Sequence, residues 1–217
     1  PIFMSAIKKL SLQEIMRMNK VPRLNMINAV SGFKSASLIG TVSGKGLENL
    51  AIFNSVIHIG ANPPLLGFIL RPLTVPRHTF QNIEETGWFT VNHIRKEFYK
   101  KAHQTSGKYR NDISEFEACG FDAEYSSICK APYVKQSVIK IGLTLEEKTE
   151  IKTNGTFLLI GAIRELIVPV DSIEDDGFID IEKAGSISIS GLDSYHETNR
   201  LSREAYVRLP GVMTRED

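Results

Sequence analysis

The segment Asn49-Leu-Ala-Ile-Phe-Asn-Ser-Val-Ile-His-Ile-Gly-Ala-Asn-Pro-Pro-Leu-Leu-Gly-Phe-Ile-Leu-Arg-Pro72 places two strand-like apolar runs on either side of small polar residues and a double proline. Upstream, the run from Ser37 to Val42 is joined to residues 47–53 through Gly44-Lys45-Gly46, and glycine reaches positive φ cheaply enough to suit a hairpin. That hairpin ends at Asn54 and Ser55. Their short side chains leave backbone N–H groups accessible and add amide and hydroxyl partners, as a flat ligand rimmed with acceptors requires. Turn-forming residues at an ordinary strand end account for the same pair.

Working outward, three apolar, β-branched-rich runs between Ser35 and Leu70 read as consecutive strands, most simply a meander. Ser11 and Glu14 form a capping box for a short helix from Leu12 to about Asn19, with Pro22 as its stop. Thr79 is placed to cap a helix through Glu85, Gly87 follows its end, and residues 88–94 return to strand composition. Residues 95–120 read as helix or loop, with a second capping box at Ser114 and Glu117 and a stop at Gly120. Such an insertion suits a lid, a dimer contact or a plain surface excursion. Ile139, Ile141, Leu143 and Leu145 alternate with other residues over 137–146, the period of a half-buried strand. A further strand over 156–168 pairs with it across Thr153-Asn154-Gly155, and Asp175-Asp176-Gly177 turns the chain into residues 178–181. The pattern is mainly β: an antiparallel barrel or sandwich with short peripheral helices.

Composition removes several functions. At 217 residues, 42% hydrophobic and 24% charged, the chain is an ordinary globular one. A net charge of +1 gives no field to attract nucleic acid or an anionic membrane, and residues 95–101, with Phe98 and Tyr99 among cations, read as a solvated helix face. Cys119 and Cys129 lack the spacing and neighbouring histidines of a zinc site and read as buried or incidental thiols. With no apolar core of signal-peptide length and no run of eighteen apolar residues, the cytoplasm is the expected location. Asn154-Gly155-Thr156 matches a glycosylation sequon only as a turn. Gly40-Thr-Val-Ser-Gly-Lys45 is one residue short of a phosphate-loop spacing, and no Gly-x-Gly-x-x-Gly, Gly-x-Ser-x-Gly or His-Glu-x-x-His is present.

Ser31-Gly-Phe-Lys-Ser-Ala-Ser-Leu-Ile-Gly-Thr41, Asn49 to Ser55, Asn62-Pro63-Pro64-Leu-Leu-Gly-Phe68, Arg71-Pro72, Pro76-Arg-His-Thr79, Asn82-Ile83, Gly87-Trp-Phe-Thr-Val-Asn92 and Thr105-Ser106 follow one another in a familiar order. In this the chain resembles the flavin reductase-like, FMN-binding split-barrel proteins, specifically the flavoredoxin-type branch, over roughly residues 25–195. The resemblance implies an antiparallel, Greek-key-like split barrel over 25–195, an N-terminal helical lead-in over 1–24, the insertion at 95–120 and a C-terminal extension over 196–217. It also implies FMN as cofactor, NAD(P)H as reductant passing hydride to flavin N5, and a small-molecule or protein electron acceptor. A homodimer with FMN near its interface is implied too, with no nucleic-acid or membrane partner.

Carried onto this chain, the resemblance sets Asn49, Ala51, Ile52, Phe53, Asn54 and Ser55 along the ring edge and ribityl chain. Lys34, Ser35, Arg77, His78 and Thr79 fall around the phosphate, where a helix N-terminus favours an anion; Thr79 alone is explained equally by capping. Arg71 is either a cofactor contact or a solvated strand-end arginine, and Thr105 and Ser106 belong to the same motif set. Many relatives carry a histidine just before the strand matching 156–163, where this chain has Asn154-Gly155. If a histidine acts here, His196 or His103 must substitute, although lone histidines are more often structural. Phe53, Trp88, Phe89 and Phe157 serve as ring wall or as core. An oxygenase or electron carrier that retains FMN, and a barrel that binds FMN without turnover as sensor or store, are the alternatives.

Overall fold

The computed structural model describes residues 6–207 except 111, so the first five residues of the lead-in and the last ten of the C-terminal extension lie outside the described residues. In chain order, α1 (Leu12–Arg17) and α2 (Lys20–Val30) precede β1 (Lys34–Ser35), β2 (Ser37–Val42), β3 (Glu48–Phe53), β4 (Ile57–Ala61) and β5 (Pro64–Leu70). Then come α3 (His78–Thr86), β6 (Trp88–His93), α4 (Tyr99–Gln104), α5 (Glu115–Ala118), β7 (Ala123–Glu124) and β8 (Tyr133–Val134). The long strands β9 (Lys140–Ile151) and β10 (Thr156–Ile167) lead to β11 (Ser188–Ser190) and β12 (Ser194–His196). No helix among the described residues is long and apolar enough to cross a membrane.

Seven strands form one antiparallel sheet in the order β3-β2-β6-β9-β10-β5-β4. The glycine-bearing hairpin forms in register from Ser37↔Phe53 to Val42↔Glu48. The expected three-strand meander is instead two hairpins: Asn62-Pro63 turns the second apolar run back on itself as β4–β5, which joins the opposite margin along β10. Residues 54–56 therefore cross from one edge to the other. Side chains hold that crossing, with Ser35 Oγ donating to the Val56 carbonyl (3.2 Å) and Ser55 Oγ bridging the Ile69 carbonyl and N–H (3.0 and 3.1 Å).

Burial on both faces explains why β2 reads as a continuous apolar run. Leu38 joins Leu50, Ile94, Phe116, Val134 and Ile189 on one side, whereas Ile39 joins Phe68, Ile83, Phe89, Leu143 and Leu159 on the other. The insertion and β11 cover the first face, while Ile83 of α3 plugs the second. β9 starts at Lys140, not at residue 137, and Lys140 is buried against the Glu124 carboxylate of β7. A polar position that alternation assigns to solvent is thus covered by the β7–β8 hairpin. Both cysteines are free and buried.

Helix ends follow local chemistry with three corrections. The Ser11–Glu14 capping box is complete, but Pro22 does not stop the chain's helicity. It sits in the first turn of α2, where a missing N–H has no intrahelical role. Arg77, not Thr79, is the N-cap of α3, and Gly87 (φ 73°) ends that helix as expected. Ser114 makes no capping bond, although Gly120 (φ 70°) closes α5 through Phe121 N–H to the Phe116 carbonyl (2.7 Å), with both rings in the core.

Two predictions follow from this packing. A methyl on Gly40 would meet the Pro132 carbonyl oxygen and Thr90 Oγ1 (2.6 Å), so Gly40→Ala should lower unfolding free energy in urea by about 3 kcal/mol. His93, bonded through Nδ1 to Ser186 Oγ (2.9 Å), has its pKa pushed down to about 4 by burial. As pH falls from about 6.5 the unfolded chain takes up a proton that the folded one refuses until about pH 4. Stability should therefore drop through that window by up to roughly 3 kcal/mol more in the wild type than in His93→Gln, read by urea unfolding across pH.

Candidate functional site

The site is built where the β2–β3 hairpin, α3 and the end of β5 meet. Gly44 N–H donates to Glu85 Oε2 (2.9 Å) at the hairpin turn, and Asn49 pairs with Thr79 near the other end of the helix. The N-terminus of α3 consequently points toward the end of β3, at Phe53. Arg77 caps it without a side-chain bond, leaving the leading N–H groups without a side-chain cap, and Arg77 Nε is buried with no hydrogen-bond partner among the described residues.

The outer edge of β3 carries backbone donors. Ser43 N–H bonds the Leu47 carbonyl (2.9 Å), so alternation along the antiparallel pair turns the N–H groups of Glu48, Leu50 and Ile52 away from β2. Leu50 N–H is taken by Glu115 Oε2 (3.1 Å), a buried carboxylate on α5. Desolvation raises the Glu115 pKa, partly offset by that N–H and by the charge of His78. In the amide orientation that satisfies its neighbours, Asn49 donates to Glu115 Oε2 (3.3 Å) and accepts from Leu50 N–H (3.3 Å) and Thr79 Oγ1 (3.1 Å). Asn82 Nδ2 donates to Thr41 Oγ1 (3.1 Å), completing a buried polar seam between α3, β2, β3 and α5.

Arg71 follows β5 and is exposed, and the Gly155 turn lies against Pro72, with its Cβ direction 3.8 Å from the proline ring. Phe157 pairs in register with Leu70 and packs on Phe80 of α3 at 5.4 Å between ring centroids. Arg71, Arg77, His78, Thr79, Asn49, Ser55 and the 154–157 turn are thus gathered at one end of the barrel. Phe89 is fully buried against Phe68, Trp88 packs on Cys129, Ala131 and Tyr133, and Phe53 stands on Phe68.

The remaining expected residues are committed elsewhere. Lys34 Nζ donates to the Asn28 carbonyl (2.7 Å) and Ser31 Oγ (2.8 Å) at the end of α2. Asn54 Nδ2 donates to the Gly191 carbonyl (2.8 Å), tying the crossing to the β11–β12 hairpin. Ala51 and Ile52 are half-buried within β3. Thr105 Oγ1 and Ser106 Oγ donate to the Ala102 and His103 carbonyls (2.8 and 2.7 Å), folding onto the last turn of α4. His103 Nδ1 meets Tyr195 OH (2.8 Å), and His196 Nε2 meets Ser190 Oγ (2.9 Å) and Ser194 Oγ (3.1 Å). His196 lies on β12, and His103 on α4 bonds to that hairpin. Glu115 was not singled out from the sequence, because no local pattern separates it from Glu117 two residues on. A hollow of about 300 Å³ is lined by residues 96–101, and one of about 500 Å³ is lined by Glu48, Ser114, Phe116 and Phe121, next to the Asn49–Glu115 seam.

A family model described as flavin reductase like domain matches residues 30–178. A crystal structure from Shewanella frigidimarina NCIMB 400, described as a flavin reductase with split barrel domain, is 46% identical with a TM-score of 0.89, covering 92% of this chain and 100% of that one. The flavoredoxin of Desulfovibrio vulgaris (Miyazaki F) is 21% identical with a TM-score of 0.70 over 80% of this chain and 91% of its own, a likeness of fold. An uncharacterized protein of Aquifex aeolicus (strain VF5) is 28% identical over 103 residues, so the chain spans about half of that relative: 53% of its length against 46% of this chain. The fold is a mainly β split barrel with short helices.

Asn49 is the hub of the seam. Asn49→Ala strips partners from Thr79, Leu50 N–H and Glu115 at once and should cost about 2 kcal/mol of unfolding free energy in urea, whereas Asn54→Ala, at a half-buried bond, should cost about 1.

Proposed function

The chain belongs to the flavin reductase like domain family, and from that premise we propose that it is an FMN-binding, NAD(P)H-dependent flavin reductase working as a homodimer. The observation that carries the reading is the N-terminus of α3: leading N–H groups without a side-chain cap beside a buried Arg77 Nε that has no bond of its own among the described residues. A phosphate monoester supplies the acceptors this corner needs. FMN fits the rest of the convergence. The backbone N–H of Thr79 and the Arg77 side chain hold the phosphate end with His78 beside them, and Arg71 adds charge from the end of β5. Backbone groups of residues 52–55 face the ring edge, and Phe80 with Phe157 gives an aromatic surface nearby.

A flavin, when bound, would supply the redox chemistry: hydride acceptance at N5 from NADH or NADPH and electron delivery to a small-molecule or protein acceptor. The protein's part is positional. Ser55 fixes the crossing to Ile69, Asn54 fixes it to Gly191, and Asn49 with Glu115 holds the edge of β3 straight. Lys34 and Ser35 act through the backbone they anchor, and no side chain has to transfer a proton. In this proposal residues 25–195 are the barrel domain.

One feature favours a second reading, a carrier that keeps its flavin. The 153–155 turn carries no histidine; Asn154 Oδ1 instead accepts from Thr156 N–H (3.1 Å) and Oγ1 (2.7 Å) beside Pro72. A nicotinamide then loses one contact there.

Anaerobic spectral titration with NADH and NADPH, before and after adding FMN, tests both. Bleaching of the flavin band by either nicotinamide is expected; yellow protein inert to both supports the carrier, and protein that takes up no FMN overturns both readings. Arg77→Ala should weaken FMN at least about tenfold while riboflavin, lacking the phosphate, changes by less than about threefold.

A further inference from the structure

The N-terminal arm is the least explained part of the molecule. α1 and α2 contain six and eleven residues, and neither has a single buried one. Helices this short are marginal in water and normally draw their stability from packing an apolar face. Here Leu12, Met16, Val21, Leu24, Ile27 and Val30 are 41–76% exposed. The arm is nevertheless braced internally, by Arg23 Nη1 donating to the Met16 carbonyl (2.9 Å) and by the Ser11–Glu14 box. It is rooted firmly at its far end, where Lys34 Nζ grips the Asn28 carbonyl and Gly191 approaches Ala29. A defined, rooted structure whose apolar surface the described residues leave uncovered calls for a partner.

We infer that residues 7–33 form the surface by which one chain packs on the body of a second copy of itself. Two observations select a second copy. The arm carries Lys8, Lys9, Arg17, Lys20 and Arg23 against Glu14, a net charge of +4, so the rest of a chain whose total is +1 carries −3. Arm and body therefore attract across an interface while the isolated molecule stays near neutral. The size also matches, because the 27 residues of the arm fall within the roughly 20–30 a side of a standard stable interface. The arm's root sits beside Gly191, whose carbonyl holds Asn54, so the partner's body comes to lie next to the crossing that borders the flavin site. This deepens the homodimer of the proposed function by naming its surface.

Light scattering coupled to size exclusion, at micromolar concentration, is the test. The wild type should have twice the mass of one chain. Leu24→Glu/Ile27→Glu, both at unburied positions, should raise the dissociation constant at least a hundredfold and give monomer with an unchanged circular dichroism spectrum. Lys9→Glu/Lys20→Glu should raise it about tenfold and make it less sensitive to salt. A monomeric wild type overturns the inference, as does a dimer that ignores the Leu24/Ile27 exchange. Monomer that binds vesicles of phosphatidylcholine and phosphatidylserine through the arm overturns it in favour of a membrane surface. Flavin titration of the same samples is read separately: a dimer through the arm that takes up no flavin leaves this inference standing and removes the functional one.

Discussion

Backbone left unpaired at the outer edge of β3 is the constraint on which the rest of this structure turns. A sheet whose consecutive strands β3 and β4 lie at opposite margins has two open edges, and each must be satisfied by something other than a further strand. At the β3 margin Glu115 takes the Leu50 N–H from the insertion; Ser55 takes both backbone groups of Ile69 where β5 runs past its pairing with β4, and Asn54 ties the crossing to the Gly191 carbonyl of the β11–β12 hairpin. Each bond fixes a segment from a distant part of the sequence against the same end of the barrel.

The candidate site is a by-product of that arrangement. Because the crossing is pinned by Ser55 and Asn54, the end of β3 and the end of β5 are held side by side, and α3 runs back along the hairpin with its N-terminus aimed between them. The Asn49–Thr79–Glu115 seam is polar and buried, so it stays in one arrangement or loses several bonds together. Such rigidity suits a protein whose redox chemistry would come from a bound group: it has to hold a shape and present donors, and needs no mobile acid or base.

Burial on both faces gives the insertion its role in the barrel. Phe98, Phe116 and Phe121 fill the face of the β2–β3 hairpin that Leu38 and Leu50 present, and the Gly120 turn brings Phe121 back onto Phe116. Phe98, Ala102, Phe116, Cys119 and Phe121 therefore belong to the core. Glu115 reaches the seam as a consequence of that packing. The arm at 7–33 is the opposite case, a segment with several apolar side chains that the described residues leave exposed.

Local rules in the sequence determined the β2–β3 hairpin, the β9–β10 hairpin, the capping box at Ser11, the stops at Gly87 and Gly120 and the mainly β class, since each depends on residues within a few positions of one another. The grouping of Arg77, His78 and Thr79 at a helix start was legible for the same reason, though the cap itself moved to Arg77. Tertiary structure alone decided that β4–β5 joins the far margin, that Lys140 is covered, that Lys34 serves α2 and that His103 and His196 bond to residues of the β11–β12 hairpin. It alone brought Glu115 onto the Leu50 N–H, 65 positions away. Periodicity and turn chemistry record which way a side chain faces, but a buried N–H accepts whichever carboxylate the folded chain carries to it, and no short stretch of sequence encodes that meeting.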